Sequence, residues 1–213
     1  RNENIIANIE NFKIFIAIDK FFLPKKMEVR DIILDKGEFN IENPDLNFFK
    51  NLLNIEPSKN EIIIRNSNLF YKNENEEVLF INKINNAKFY YDSNNLENVL
   101  ISKNEIFNVP YKLLIKNDRF NKKIFSNFKS NKIRLNIENE IDYQDKILNG
   151  LLEISFVNKS TSLNYDFKKN SLSFKSDDTK NTYNGKIDLK PFYFNANFNY
   201  DGLSLKNFFE EDS

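Results

Sequence analysis

Hydrophobic and polar residues alternate with a period of two along the stretch NKIRLNIENEIDY, residues 131–143. The apolar parity consists of Ile133, Leu135, Ile137, Ile141 and Tyr143. Asn139 is its one polar member, and charged or amide side chains fill most of the other parity. Successive side chains of a strand point to opposite faces of a sheet, so this pattern predicts a strand with one apolar and one polar face.

The same alternation continues towards the C-terminus in the stretches KILNGLLEISF, SLNYDF, SLSF, GKIDLK and PFYFNANFNY. Turn residues separate these stretches at intervals of about 8–12 residues, which is typical of an antiparallel meander. Asn-Gly at Gly150 and Gly185 and Asp-Gly at Gly202 predict tight hairpin turns. The apolar parity changes at Pro191, which indicates a bulge or an edge position.

The N-terminal half has a less regular pattern. Strands are predicted in NFKIFIAI, MEVRDIIL, EFNI, EIIIRNSNLFY and EVLFINKINNAKFYY. Short helices are predicted in NPDLNFFKNLL and NNLENVL, because their apolar residues recur at helical spacing, and DGLSLKNFFEE is a third candidate. The whole pattern predicts an all-β, mainly antiparallel, strongly curved and open groove-like sheet with two or three short helices. Residues 1–213 form one β-rich segment, with a candidate repeat boundary near residues 95–110.

Composition narrows the candidate chemistry. The 31 basic and 31 acidic residues balance, and no basic stripe of the kind that binds nucleic acid is present. The chain has no cysteine and no histidine, so it lacks thiolates and the usual base of a Ser-His arrangement. No run of 18 or more apolar residues occurs that could span a bilayer. The acidic residues lie mostly at polar parity or in turns, and SDDTKNTYNG lacks the ligand spacing of a calcium loop. We expect no metal, no cofactor and no nucleic-acid partner.

The apolar parity itself is the remaining functional feature, and it has three interpretations. The ordinary one is a closed β-sandwich, barrel or solenoid, a structural or interaction module without a ligand, whose inner faces pack on each other. The second is an open sheet whose apolar face holds lipid acyl chains, since about 25 cal/mol per Å² of buried apolar area favours either partner. The third, a carbohydrate-active enzyme, requires two acids that converge in a cleft.

The stretch MEVRDIILDKGEFNIENPDLNFFKNLL, followed by NEIIIRNSNLFYKNENEEVLFINKINNAKFYY, resembles the AsmA-like proteins of Gram-negative bacteria. The tail GKIDLKPFYFNANFNYDGLSL is similar to the repeated strand segments of the same group, which includes the TamB and YhdP relatives. This resemblance implies a repeating β-groove, a periplasmic location and an inner-membrane anchor outside these residues. It also implies carriage of phospholipid between the inner and outer membranes, or support of outer-membrane assembly, and it supplies no catalytic residue.

We therefore expect a non-enzymatic lipid-conduit segment. Its partners would be phospholipid or other lipid acyl chains, and the inner membrane through the anchor. The residues predicted to line the groove are Ile133, Leu135, Ile137, Ile141, Leu152, Ile154, Phe156, Phe192, Phe194 and Phe198.

Overall fold

The computed structural model describes residues 7–16, 29–41, 60–73, 76–143, 148–157, 159–168, 171–176, 182–189 and 192–199, the side chains of Leu189 and Phe192 excepted. These residues form thirteen strands in a single sheet, and the strands follow one another across the sheet in chain order. Their bounds are β1 Ala7–Ile16, β2 Val29–Ile41, β3 Glu61–Lys72, β4 Val78–Asp92, β5 Glu97–Ile106, β6 Val109–Asp118, β7 Lys123–Ser130, β8 Leu135–Asp142, β9 Leu148–Phe156, β10 Lys159–Lys168, β11 Ser171–Ser176, β12 Thr182–Leu189 and β13 Phe192–Asn199.

The sheet is mainly antiparallel and open. β2 and β3 pair in parallel, whereas the other neighbouring strands pair antiparallel. β1 and β13 are its two edges. The prediction of an open, mainly antiparallel all-β sheet is confirmed, although the sheet is mixed, and it is uncurled where the sequence predicts strong curvature.

The register assigns every strand side chain to a face, because directly paired residues point to the same side of a sheet. We call the face that carries Ile137 the floor. Its side chains are mostly aliphatic and aromatic, and its charged side chains in the described strands are Arg30 and Lys159 at strand ends. The floor row through the middle of the sheet consists of Phe12, Leu34, Ile64, Ala87, Ser102, Leu113, Phe128, Ile137 and Ile154.

A line of irregular positions crosses β2, β3 and β4 and explains the irregular N-terminal pattern. Lys36 and Asn66 occupy matching positions and have positive φ angles of 55° and 49°. The β4 register shifts between Ile84 and Asn86. Along each of the three strands, the floor residues have even numbers before the irregular position and odd numbers after it. Such bulges bend the strands and increase local twist, and they hide a regular face from a search for strict alternation.

The opposite face carries most of the charge. Ion pairs join neighbouring strands there: Lys88 Nζ lies 2.8 Å from Glu61 Oε1, and Lys123 Nζ lies 2.6 Å from Glu140 Oε1. Lys36 Nζ reaches Glu10 Oε1 at 3.0 Å beside the irregular line. Exposed pairs of this kind contribute about 0–1 kcal/mol each, so they favour the register without holding the sheet together.

The helix predicted in NNLENVL, residues 94–100, is wrong. Residues 93–96 form a turn, and β5 starts at Glu97. Asp92 Oδ1 accepts hydrogen bonds from the backbone N–H groups of Asn94 and Asn95, which closes the turn, and Leu96 follows with φ 58°. The apolar spacing is helical by coincidence, because Val99 and Leu100 lie on opposite faces of the sheet. The other two predicted helices lie outside the described residues.

The predicted turn role of Gly150 and Gly185 is also wrong. Both residues lie inside strands, β9 and β12, on the floor. A Cβ built at Gly150 would overlap the ring of Tyr165, and one at Gly185 would crowd the ring of Phe174. These glycines therefore leave room for aromatic rings that lie flat on neighbouring strands. Gly202 lies outside the described residues.

Leu96→Gly tests the turn. An L-residue with a left-handed backbone is strained by about 1–2 kcal/mol, so we expect glycine to raise the free energy of unfolding, by up to about 1 kcal/mol. In a helix the same change would lower it by about 1 kcal/mol. The measurement is urea unfolding. Leu79→Gly is the matched control, because Leu79 and Leu96 are both 54% exposed and Leu79 lies inside β4, so glycine should destabilise there.

Candidate functional site, an open apolar floor

The floor has no second layer of described residues above it. Among these residues only five apolar side chains are buried: Ile41, Ile84, Ala87, Val99 and Tyr183. The aliphatic residues along the middle of the floor, such as Ile64, Leu113 and Ile137, are half-buried. Neighbours in the same sheet cover their flanks, while their tips face away from the sheet. The result is a continuous apolar surface that reaches from β1 to β13.

Most of the predicted groove residues share this surface. Leu135, Ile137 and Ile141 of β8 lie opposite Phe156, Ile154 and Gly150 of β9. Leu152 lies beside them, and Phe194 and Phe198 of β13 belong to the same face, each more than half exposed.

Two predicted residues differ from the rest. Ile133 lies in the turn of residues 131–134 that precedes β8, so its prediction as a strand residue is wrong. Ile133 is odd-numbered like the floor residues of β8, although it lies in a turn. Phe192 pairs with Leu189 at the start of β13, which assigns its position to the floor row, and its side chain is outside the described set. Because odd-numbered Leu189 pairs directly with even-numbered Phe192, the floor residues have odd numbers in β12 and even numbers in β13, which accounts for the parity change.

A trough crosses the floor between β2 and β6. Its cavity volume is about 290 Å³, and it is partly open to solvent. Its lining residues are Phe39, Ile62, Ile64, Leu69, Asn82, Ile84, Ala87, Phe89, Leu100, Ser102, Asn104, Tyr111, Leu113 and Ile115. Sequence reasoning missed this trough, because β5 and β6 were not predicted and the irregular line conceals the parity of β2–β4.

The most deeply buried side chains of the floor are small and polar. Seven polar residues are buried among the described residues, and all seven lie on this face: Ser67, Asn98, Ser102, Asn104, Asn117, Ser130 and Ser176. Ser67 Oγ accepts a hydrogen bond from Gly37 N at 2.9 Å and donates one to the Arg65 carbonyl at 2.7 Å. Ser130 Oγ donates to the Pro110 carbonyl at 2.7 Å. Such bonds satisfy groups whose burial would otherwise be costly.

Tyrosine side chains cross the floor at every second strand from β6 to β12. Tyr111 of β6 donates a hydrogen bond to Asn82 Oδ1 of β4 at 2.9 Å. Tyr143, just after β8, donates to Asn117 Oδ1 of β6 at 3.0 Å. Each tyrosine thus reaches over one intervening strand. We call a tyrosine together with the group that it reaches a rung.

The two remaining rungs lie further along the sheet. Tyr165 of β10 donates to Asn139 Oδ1 of β8 at 2.8 Å, and its ring rests on Gly150 of β9. Tyr183 of β12 is hydrogen bonded through its hydroxyl to Thr161 Oγ1 of β10. A rung joins strands that share no backbone hydrogen bonds, so it resists hinging of the sheet about the strand between them.

The environment of Tyr111, Tyr143 and Tyr165 favours the neutral form of the phenol. Burial raises the pKa of Tyr111, although the hydrogen bond to Asn82 partly opposes it. Burial likewise raises the pKa of Tyr143 and of Tyr165. A phenolate would lose solvation on this apolar floor, so the hydroxyls act as hydrogen-bond donors and not as bases.

No cleft with converging acids is seen among the described residues. Glu138 and Glu153 are directly paired, but they lie on the charged, solvent-facing side of the sheet. Glu138 Oε1 there accepts hydrogen bonds from the amides of Asn127 and Asn136. Within the described ranges no group of three or more potential ligand side chains is placed to hold a metal ion, and no helix is long and apolar enough to cross a membrane.

Comparisons of the chain with protein-family models, with curated protein sequences and with solved structures find no match. The geometry of the floor is therefore the basis on which a function can be assigned.

Gly150→Ala tests the contact between Gly150 and the Tyr165 ring. The new methyl group has to displace the ring from Asn139, so we expect a loss of about 1–3 kcal/mol in the free energy of unfolding. In a Tyr165→Ala background the same change should be nearly neutral. A double-mutant cycle measured by urea unfolding gives the coupling. Equal losses in both backgrounds would show that the ring does not rest on Gly150.

Tyr165→Phe tests the neutral state of the rung. The pKa of Tyr165 is raised in the folded protein, so its neutral form is favoured there, and this stability is present below about pH 10 and is lost as pH rises through the folded pKa. Between about pH 8 and about pH 11 the urea midpoint of the Phe variant should therefore fall less than that of the unaltered chain. Tyr193→Phe, which removes the hydroxyl of an exposed tyrosine on the other face, controls for the loss of a tyrosine hydroxyl outside the rungs.

Proposed function

We propose that this chain is a lipid-conduit segment of an AsmA-like protein, a non-enzymatic module along which phospholipid acyl chains move on the floor. The observation that carries the proposal is the apolar floor, which no described residue covers, which continues across all described strands and which includes the trough between β2 and β6. Large exposed apolar patches mark sites for partners or ligands rather than ordinary surface. An occupant that covers the floor gains about 2.5 kcal/mol for each 100 Å² removed from water.

The dimensions of the trough suit one acyl chain. Five neighbouring strands span four strand spacings, or about 19 Å. The acyl chains of one leaflet extend over about 15 Å, half of the hydrocarbon thickness of a bilayer. A chain that lies across the strands, parallel to the floor rows, therefore fits between β2 and β6. There it contacts apolar side chains of every strand, such as Phe39, Ile64 and Leu113.

The distribution of charge supports the same occupant. Among the residues that the structure describes, no charged side chain lies in the middle of the floor, so none of them offers a counter-ion there to a lipid head group. The head group stays in water at the open side while the acyl chain lies on the floor. Each floor hydroxyl or amide that forms a rung is already hydrogen bonded within the sheet, so it does not hold the ligand at one position. Movement along the floor then breaks no strong interaction and requires no chemical step.

The cellular setting of the proposal comes from the resemblance described above. An AsmA-like segment would lie in the periplasm, held to the inner membrane by an anchor outside this sequence. It would carry phospholipid between the inner and outer membranes or support outer-membrane assembly.

An interaction module is the second candidate, because a single-layer sheet also offers surfaces to protein. The edges β1 and β13 can accept another strand, and the floor can be covered by the apolar face of another sheet. In this case the occupant of the floor would be polypeptide and not lipid.

Photo-crosslinking separates the two. A photoreactive residue at Ile137 on the floor should give adducts with phospholipid, supplied as vesicles of phosphatidylethanolamine and phosphatidylglycerol. The neighbouring position Glu138, which is half-buried like Ile137 but on the other face, should give several-fold less. Phe194 and Asn195 form a second such pair on β13. Adducts are identified by mass spectrometry.

Equal lipid labelling at both members of each pair would contradict the conduit, because it would show contact without preference for the floor. Crosslinks from Ile137 to protein in place of lipid, in the cell of origin, would favour the interaction module.

A further inference from the structure

The rungs divide the floor into parts of unequal width. We call the series of neighbouring apolar floor residues that passes between the rungs the apolar track, and on β10 a rung lies on each side of it. Three consecutive floor residues of this strand are Thr161, Leu163 and Tyr165. Tyr165 belongs to the rung that runs to Asn139, and Thr161 receives the hydroxyl of Tyr183 from the opposite direction. Leu163 lies between them on the floor, and its half-buried aliphatic side chain belongs to neither rung.

The apolar track passes obliquely between the two rungs. On β9 it includes Ile154, on β11 Phe174 and on β12 Ile187. Each of these is a diagonal neighbour of the residue on the next strand, and Leu163 joins Ile154 to Phe174. Diagonal floor neighbours lie within about 7–8 Å, which is within contact distance of long side chains. The track is therefore continuous, and it bends away from the central row at this point.

The width of the track is set by the spacing along β10. Thr161 and Tyr165 are four residues apart, which corresponds to about 13 Å between their Cα atoms. On β7 and β8, in contrast, Phe128, Ile137 and Leu135 are adjacent floor residues with no rung between them. The floor is thus wide before β9 and narrow at β10.

We propose that Leu163 is the waist of the conduit, the position through which an acyl chain passes from the β1–β9 part of the floor to the β11–β13 part. This inference rests on the proposed function. The rungs of Tyr165 and Tyr183 flank the track on both sides and confine the acyl chain to the single aliphatic residue between them. Leu163 then determines passage, whereas apolar residues in the wide part can replace one another.

Leu163→Asn tests the waist in the full chain. Photoreactive residues at Leu113, before the waist, and at Ile187, beyond it, report lipid on each side, with the same vesicles as above. An amide at Leu163 interrupts the apolar track, so we expect the ratio of labelling at the two sites to change about fivefold or more. The site that loses label identifies the end at which lipid does not enter.

Leu151→Asn is the matched control. Leu151 is also a half-buried strand leucine, but it lies on the face opposite the floor, so its variant should keep the ratio of the unaltered chain. If Leu163→Asn lowers the unfolding temperature below the temperature of the labelling experiment, Leu163→Thr replaces it, because a β-branched residue suits a strand.

The outcomes separate the waist from the conduit. If both sites are labelled and Leu163→Asn leaves their ratio unchanged, or if Leu151→Asn changes it equally, the waist is wrong while the conduit stands. If neither site is labelled in the unaltered chain, the conduit itself is wrong.

Discussion

The constraint on which this structure depends is that its described part has one layer. Domains are ordinarily built from two or more layers that bury their apolar faces against each other. In this sheet a strand finds its neighbours in the same plane, so the backbone ladder and the contacts between adjacent side chains supply most of the stability. Long strands with matched registers, such as β3 and β4, meet this constraint because they pair over almost their full lengths. Large apolar side chains remain half-buried, and their outer surfaces face solvent.

The rungs and the buried polar residues replace part of what a second layer would contribute. A tyrosine that crosses an intervening strand bonds to the strand beyond, which stiffens the sheet across the strand direction. Gly150 provides the space that the ring of Tyr165 requires, and Ser176 Oγ accepts a hydrogen bond from the backbone N–H of Tyr183. The same arrangement keeps hydroxyl and amide groups paired, so the floor stays apolar in character although it contains many polar atoms. Stability and an accessible apolar surface are compatible here because the stabilising contacts run within the sheet.

Strict alternation predicted β8 and β9 and most of their floor residues, because these strands contain no irregular position and every side chain follows its parity. It predicted the strands β2, β3 and β4 but not their common face, since the matched positions at Lys36 and Asn66 exchange the parities halfway along. β5 was mistaken in part for a helix, because both of its faces carry apolar residues and Val99 and Leu100 have a helical spacing. The sequence pattern also failed to predict the turn at Ile133 and the strand positions of Gly150 and Gly185. A local pattern contains no information about the residues on the neighbouring strand.

The amino-acid sequence by itself determined that the chain is a sheet with one apolar and one polar side, because side-chain direction in a strand depends on nothing beyond residue order. It also determined the balanced charge and the lack of thiols and imidazoles that limit the chemistry. Only the tertiary structure decided that the described strands form one layer in chain order, that none of the described residues covers the floor, and that tyrosines bridge alternate strands. These properties depend on register and on contacts between residues distant in the chain, and a one-residue difference in pairing would place the same side chains on the other face.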